Sequence, residues 1–169
     1  MMFKPREKVV YPGHGVAILD RIVVKQVAGK RVEFFELKFL HKDMTILVPV
    51  ESSMRVGIRP ISSPEYIGKI FEFLAQPAIF VPYDPSIINW NKRNKEYQGR
   101  LRTGNLHELC LIYKDLKMIE QNKELSFGEK NLLAQTEELL VQEIALVQDV
   151  AQEYAVQHIR SLIGHERHV

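Results

Sequence analysis

The chain has 169 residues, of which 46% are hydrophobic and 26% are charged, and its formal net charge is +2. This length suits one medium domain or two small ones, and the composition is typical of a folded globular protein, which excludes disordered and fibrous classes. The single cysteine, Cys110, excludes an intramolecular disulfide and a cysteine-based zinc site.

Signals for export or membrane insertion are missing from the pattern of apolar residues. The first eight residues contain no apolar run long enough for a signal peptide. No stretch approaches the roughly 18 uninterrupted apolar residues that a membrane helix needs. We therefore expect a cytoplasmic protein with no membrane partner.

The small net charge hides an uneven distribution. Residues 86–105 carry five basic residues and one acidic residue, whereas residues 106–169 carry six basic and eleven acidic residues. A cationic segment thus lies between a mildly basic first half and an acidic last part. Such asymmetry indicates where a polyanion would bind better than the overall charge does.

The first 60 residues have the pattern of short β-strands. Apolar and β-branched runs predict strands over 8–11, 16–24, 33–40 and 45–48, and the third strand places Phe35, Leu37 and Phe39 on one face. Pro12-Gly13 predicts a turn after the first strand, and residues 27–31 predict a hairpin turn between the second and third. Strands of this length and spacing favour a small, strongly bent antiparallel sheet or barrel.

Helical patterns begin at Ser63, which is suited to cap a helix that starts at Pro64 and presents Ile67, Ile70 and Leu74 on one face. Three prolines at positions 77, 82 and 85 then interrupt any helix. We therefore predict a β-domain with a trailing helix over residues 1–76, a linker over 77–88, a helical domain over 89–160 and a tail over 161–169. The predicted fold class is α+β.

Three helices are predicted after the linker. The first runs from Asn89 to about Thr103 and stops at Gly104, and the second runs from Leu106 to about Gln121. The third starts at Ser126, where Ser-Phe-Gly-Glu forms a capping box, and continues to about Tyr154. The apolar face of so long a helix is buried only if it packs against the two shorter ones.

No pattern of catalytic residues is found in the sequence. The chain contains no phosphate-binding loop, dinucleotide-binding glycine motif, nucleophile elbow or paired-histidine zinc motif. Pro12-Gly13-His14-Gly15 is interpreted as a bent turn, and His165 and His168 lie in the tail without a third ligand. We expect a protein that is not an enzyme and that has no metal site and no cofactor.

The segment from Asn89 to Arg102 contains the single tryptophan and five basic residues. On a helix, Trp90 shares one side with Tyr97 and Leu101, while Lys92 and Lys95 belong to a basic stripe. Arg93 lies beside that stripe. Basic stripes suit phosphates, and an aromatic residue in the first turn suits insertion between bases.

A structural interpretation of this segment stays open on the residues alone. A tryptophan that follows a proline-rich segment is often a core anchor, and a basic helix face is usually solvated. The acidic balance of the later helices confines any DNA contact to this helix and to residues near Lys130.

Four blocks in order resemble the CarD/CdnL family of bacterial transcription regulators. The first covers residues 9–17, Val-Val-Tyr-Pro-Gly-His-Gly-Val-Ala, and is similar to a domain shared with the transcription-repair coupling factor. The others are residues 44–50, Asn89-Trp90 with the basic helix, and residues 125–130 with the long helix. The resemblance extends over residues 2 to 148.

The resemblance implies a Tudor-like β-domain that binds the β subunit of RNA polymerase and a helical domain that contacts the upstream edge of melted promoter DNA. Trp90 matches a tryptophan that wedges into the minor groove, and four residues match basic positions near the DNA backbone: Lys92, Arg93, Lys95 and Lys130. Lys25 matches a polymerase-contacting position. Leu47 stands where some members use arginine for that contact.

The function that we expect is a monomeric transcription regulator that associates with the nucleoid through RNA polymerase and stabilises open promoter complexes without reading sequence. One alternative is an adaptor on RNA polymerase in which both domains bind protein and the basic helix is only solvated. Another is a double-stranded DNA binder that needs no polymerase.

Overall fold

A computed structural model describes residues 3–77 and 90–163. The chain divides into two compact units, which we call the β-unit, Met1–Ile61, and the helical unit, Ser62–Val169. Most of the predicted linker, and the tail beyond Ile163 with its two histidines, lie outside the described residues. Within the described ranges no helix is both long and apolar enough to cross a membrane.

The β-unit is built on one five-stranded sheet, and every pair of neighbouring strands in it is antiparallel. The strand order is β4-β3-β2-β1-β5. The strands are β1 Lys8–Tyr11, β2 Gly15–Val27, β3 Lys30–Phe39, β4 Thr45–Pro49 and β5 Arg59–Pro60. A 3₁₀ turn, Val50–Ser52, and the short helix α1, Ser53–Val56, connect β4 to β5. The four predicted strands are confirmed, whereas two-residue β5 has no sequence signal of its own.

The turn between β2 and β3 explains the length of this hairpin. Ala28 and Gly29 both have positive φ angles, 51° and 78°, and Val27 pairs with Lys30 across them. Two consecutive left-handed residues twist the chain in the sense that flanking strands require. The predicted hairpin is therefore confirmed, and a bulge between Leu19 and Arg21 is the one irregularity in the pairing of β2 with β3.

The alternation predicted for the third strand places its aromatic residues in the core of the β-unit. Phe35, Leu37 and Phe39 are buried, and Glu36 and Lys38 between them lie on the opposite face. The same core contains residues from the other strands and from the segments that flank them: Phe3, Val9, Ala17, Leu19, Val48 and Ile58.

The helical unit contains five helices within the described residues. They are α2 Pro64–Ala75, α3 Trp90–Thr103, α4 Leu106–Asn122, α5 Phe127–Gln148 and α6 Gln152–Ile163. Side chains cap three of them: Ser63 accepts from Tyr66 N–H at 3.1 Å, Asn105 caps α4, and Ser126 forms the predicted capping box at α5. Polar side chains of this size satisfy backbone donors that a helix start leaves without intrahelical partners.

Helix α2 belongs to the helical unit, which corrects the prediction that grouped it with the β-domain. Its apolar residues Ile67, Ile70 and Leu74 are buried in the same core as α4, α5 and α6. The domain boundary therefore lies between Ile61 and Ser62 and not at the proline-rich segment. Amphipathicity predicted the buried face of α2, but it does not identify the surface that covers that face.

Two polar anchors hold the ends of α2 within the helical unit. Just before the helix, the backbone N–H and hydroxyl of Ser62 donate to the buried Glu143 carboxylate at 2.9 and 2.6 Å. At its end, Lys114 Nζ donates to the carbonyls of Phe73 and Gln76, each at 2.8 Å. A buried ammonium that binds the last carbonyls of a helix satisfies both groups and complements the helix dipole.

The prediction of one long last helix is wrong, because the helix ends at Gln148. Asp149 adopts a left-handed conformation with φ 55°, and Val150 N–H donates to Ala145 O. Helix α6 then packs back into the core through Ala155, Ile159 and Ile163. The residues after about Val150, to which the sequence assigned no role, thus form part of the helical unit.

A polar cluster attaches α6 to α4 and α5. Arg160 donates to both carboxylate oxygens of Glu137, at 3.0 and 2.6 Å, and Tyr113 Oη donates to the same carboxylate at 2.6 Å. Burial raises the pKa of the Tyr113 phenol, and its hydrogen bond to Glu137 adds to that increase. The phenol therefore remains a donor to Glu137 at neutral pH.

Candidate nucleic-acid interface

Helix α3 presents the apolar stripe that its sequence predicted. Tyr97 and Leu101 are buried in the core of the helical unit, and Trp90 packs against that core while remaining partly buried. The helix stops at Gly104, whose φ of 69° is left-handed and whose N–H donates to Leu101 O. Asn89, the predicted first residue, lies outside the described part of the chain.

The indole of Trp90 packs against the apolar core and also lies against the first turn of α5. A Cβ atom placed on Gly128 would be 2.9 Å from Cζ2 of the indole, 3.1 Å from Cε2 and 3.2 Å from Nε1. The guanidinium of Arg93 lies 5.8 Å from the centre of the ring. The indole therefore rests on a glycine backbone, with part of its surface accessible to solvent.

Arg93 is buried, whereas the sequence predicted that it would contact phosphates. Its side chain is 8% exposed, and Nη2 donates to Glu129 Oε2 at 3.2 Å. Its guanidinium carbon also lies 5.7 Å from the centre of the Tyr97 ring. The helical pattern placed Arg93 beside the basic stripe, but α5 covers that position, so Arg93 connects two helices in this structure.

Glu129 is the centre of this contact between α3 and α5. Its side chain is 2% exposed, and its Oε1 accepts from the backbone N–H of Ser126 at 2.9 Å and from Lys123 Nζ at 3.3 Å. Burial alone would raise the pKa of Glu129, but hydrogen bonds from Ser126 and Arg93 and the charge of Lys123 lower it overall. The carboxylate is therefore ionised at neutral pH.

The lowered pKa of Glu129 predicts how pH affects this contact. Since the pKa is lower in the folded chain than its ordinary value of about 4.3, the carboxylate stabilises the fold above that pH and loses this effect as pH falls through the folded pKa. We expect wild type to melt at a higher temperature than Glu129→Gln at about pH 7, with a gap that narrows toward about pH 3. A gap that stays constant over this range would show that Glu129 does not titrate as described.

Three of the predicted basic residues are exposed. Lys92 and Lys95 lie on the exposed side of α3, and Lys130 lies in the first turn of α5 with its side chain 58% exposed. Lys130 Nζ is 3.5 Å from a carboxylate oxygen of Glu124. These lysines lie on the two helices whose first turns meet at Trp90 and Gly128.

Two residues near Trp90 were missed by the sequence analysis. Phe127, the first residue of α5, is 81% exposed, and Gly128 supplies the surface on which the indole lies. Both were identified only as parts of the capping segment. The phenylalanine at the start of this helix is visible in the sequence as an aromatic residue next to the cap. The role of Gly128, by contrast, depends on Trp90, which lies 38 positions earlier in the chain.

Lys25 and Leu47, the predicted polymerase contacts, lie on one face of the sheet in the β-unit. Lys25 pairs with Val32, and Leu47 pairs with Glu36. Val32 and Glu36 are four residues apart on β3, so both pairs project from the same side, roughly 13 Å apart. Both predicted side chains are exposed, Leu47 to 37%.

The β2–β3 hairpin extends beyond the neighbouring strands. Strand β4 pairs with Phe34–Lys38 only, and β1 pairs with the first four residues of β2. Past the last residue of β2 that pairs with β1, three large aliphatic side chains of β2 are exposed: Ile22, Val24 and Val27. Apolar exposure of this kind on a sheet is typical of a surface that contacts another protein.

The glycine-rich segment after β1 is a turn between paired strands. Tyr11 pairs with Gly15, and His14 N–H donates to Tyr11 O at 3.0 Å. Burial and the charge of Lys42 lower the pKa of His14. The described residues contain no cluster of three or more side chains that could hold a metal ion.

The two units define a class of protein in which a small antiparallel β-domain precedes a helical domain with an aromatic and basic helix. Comparison with known proteins identifies the class. The family model described as CarD-like/TRCF RID domain matches residues 3–62, and the model described as CarD, C-terminal domain matches residues 69–160. The chain belongs to the CarD family, and with it to the transcription regulators that interact with RNA polymerase.

One curated relative and one solved structure illustrate the similarity. The chain is 22% identical over 151 residues to the putative transcription factor YdeB of Bacillus subtilis (strain 168), which covers 89% of this chain and 95% of YdeB. It is 29% identical to the 72-residue N-terminal domain of Myxococcus xanthus CarD, solved by solution NMR. That match covers 35% of this chain and 79% of the other, with a TM-score of 0.31.

Proposed function

We propose that this protein binds the β subunit of RNA polymerase through its β-unit and stabilises the open promoter complex through Trp90. The observation that carries the proposal is the setting of Trp90, a partly buried indole in the first turn of α3, next to the start of α5. Lys92, Lys95 and Lys130 are exposed on the same two helix starts. With this arrangement, the lysines can bind the phosphates of partly unstacked DNA while the indole stacks on a base.

The expected phosphate contacts now involve three lysines and not four basic residues. We leave Arg93 out of the proposed phosphate contacts because its side chain is 8% exposed and donates to the buried carboxylate of Glu129. Contacts from lysines to phosphates give affinity without reading the sequence. We therefore propose that the protein acts at many promoters and does not recognise a defined site.

The face of the β-unit that carries Lys25 and Leu47 is the proposed polymerase surface. It combines an exposed cation, an exposed leucine on the outer strand β4, and exposed Val27, which projects from the same side of β2 as Lys25. Outer strands also offer backbone groups to a strand of another protein. In this chain Leu47 provides apolar contact where an arginine would provide charge.

The mechanism requires both units to act on one polymerase–promoter complex. Binding of the β-unit to polymerase raises the local concentration of the helical unit near the promoter, so that a weak DNA contact becomes effective. An indole that fits only between separated bases binds the open complex better than the closed one. The equilibrium shifts only by this difference in affinity, at about 1.4 kcal/mol for each tenfold change.

Reversing the charge of Lys25 tests the polymerase surface. We expect Lys25→Glu to bind immobilised bacterial RNA polymerase at least about tenfold more weakly, because a charge-complementary contact becomes repulsive. A binding titration measures the effect. Since Lys25 is exposed, the melting temperature of Lys25→Glu is expected to differ from that of the wild type only by the small amount typical of surface substitutions.

Arg55→Glu provides the matched control, since Arg55 is an exposed cation on α1 and not on the sheet face of Lys25. This control should bind polymerase as the wild type does. Equal binding by Lys25→Glu and wild type would place the interface elsewhere on the protein. Failure of the wild type itself to bind polymerase, together with binding to duplex DNA, would support the DNA-only alternative.

A further inference from the structure

We propose that Gly128 is a positioning residue for Trp90, and that its missing side chain creates the seat that fixes the orientation of the indole. The effect on DNA rests on the function proposed above, whereas the packing itself does not. The proposal adds a residue on α5 to a site that sequence patterns assigned to α3 and to lysines.

The distances leave no room for a side chain at this position. A Cβ on Gly128 would be 2.9 Å from Cζ2 of Trp90, which is closer than carbon atoms approach without overlap, and two further ring atoms lie within 3.2 Å. The atoms that would have to move belong to a rigid bicyclic ring and not to the end of a flexible chain. Addition of one methyl group therefore turns the whole indole away from α5.

The other glycines in the described helices have a different environment. A Cβ on Gly68 in α2 or on Gly99 in α3 would have no heavy atom within 4 Å. Alanine is favoured over glycine in a helix, so a glycine in the first turn of a 22-residue helix is a local disadvantage. The closeness of the indole explains why position 128 has a glycine in spite of this disadvantage.

The neighbouring residues hold the two surfaces of this contact together. Arg93 follows Trp90 by three residues, Glu129 follows Gly128 by one, and these two side chains form the buried ion pair. The capping box between Ser126 and Glu129 fixes the same turn of α5. The ion pair between Arg93 and Glu129 thus keeps the first turn of α5 against the first turn of α3. Gly128 determines how closely the Trp90 indole approaches α5.

Trp90 is the single tryptophan of the chain, so its fluorescence reports on this seat directly. We expect Gly128→Ala to shift the emission maximum to longer wavelength and to increase quenching by acrylamide, because the displaced ring is more accessible to water. Gly68→Ala and Gly99→Ala are matched controls that should leave both properties unchanged. An emission spectrum and quenching constant equal to those of the wild type in Gly128→Ala would overturn the proposal.

A double-variant cycle separates positioning from a general effect on folding. In the wild-type background Gly128→Ala should lower the melting temperature, because the ring and the new methyl group collide. In the Trp90→Ala background the same change should raise the melting temperature, because the collision is gone and alanine favours the helix. A decrease of equal size in both backgrounds would contradict the role of the indole.

The lifetime of open promoter complexes tests the consequence for function. We expect Gly128→Ala to shorten it several-fold, and we expect the Trp90→Ala/Gly128→Ala double variant to match Trp90→Ala alone. If Trp90→Ala shortens the lifetime and Gly128→Ala does not, the positioning role is contradicted. If Trp90→Ala has no effect, the proposed function fails, and the fluorescence and melting measurements still decide whether Gly128 seats the ring.

Discussion

Replacement of Trp90 by alanine is expected to shorten the lifetime of open promoter complexes by roughly tenfold, the largest functional effect that we predict for one residue. Stacking of a base on an aromatic side chain contributes about 1–3 kcal/mol, and about 1.4 kcal/mol corresponds to a tenfold change. Binding to RNA polymerase alone should not change, because Trp90 belongs to the helical unit. Dissociation of preformed open complexes after addition of a competitor measures the effect.

Two variants decide whether the loss is specific to the indole. Trp90→Phe keeps an aromatic face and should retain part of the lifetime. Tyr154→Ala removes a 59% exposed aromatic residue from α6 and should have no effect. An unchanged lifetime in Trp90→Ala would exclude the wedge. A large decrease in melting temperature, with an effect on lifetime no greater than that decrease explains, would favour the adaptor alternative.

Replacement of Glu129 by alanine is expected to destabilise the helical unit by about 3–5 kcal/mol, the largest effect on stability that we predict. Removal of one member of a buried ion pair leaves the charge of the other in a desolvated environment. Arg93 and Glu129 are 8% and 2% exposed, so their contact meets this condition. The same change removes one of the two hydrogen bonds of the capping box at Ser126. Urea unfolding followed by helical circular dichroism measures the loss.

Two further variants of acidic residues separate the contribution of the ion pair to this loss from that of the capping box. Glu129→Gln retains an oxygen that can accept from Ser126 N–H, so it should keep the cap and lose mainly the ion pair. Its destabilisation should therefore be intermediate. Glu124→Ala removes an 87% exposed carboxylate nearby and should change stability by less than about 0.5 kcal/mol. A loss of stability in Glu129→Ala as small as that of Glu124→Ala would show that the buried pair is not important for the fold.

Local patterns predicted the individual elements well, because the forces that form them act over a few residues. The alternation around Phe35, the hairpin at Gly29 and the caps at Ser63 and Ser126 all depend on neighbours close in sequence. The assignment of α2 and the break at Asp149 depend on packing between distant segments. A left-handed aspartate after Gln148 interrupts an apolar pattern that otherwise continues, so periodicity alone extended the helix.

The candidate site shows the same distinction at the level of single side chains. Trp90, Lys92 and Lys95 were identified from their residue types and spacing on α3, and the structure places them at one end of that helix. The burial of Arg93 was not predictable, because its partner Glu129 is 36 residues away and a helical pattern contains no information about the helix that covers it. Gly128 was missed for the same reason.

The position of α2 determines where the chain can be divided without loss of a folded part. A fragment that began at the proline-rich segment would lack Ile67, Ile70 and Leu74, and the cavity left between α4, α5 and α6 would expose their apolar faces to water. It would also leave Glu143 and Lys114 without the backbone groups of Ser62, Phe73 and Gln76 that they bind. A fragment that begins at Ser62 keeps all of these contacts and carries Trp90 on an intact scaffold.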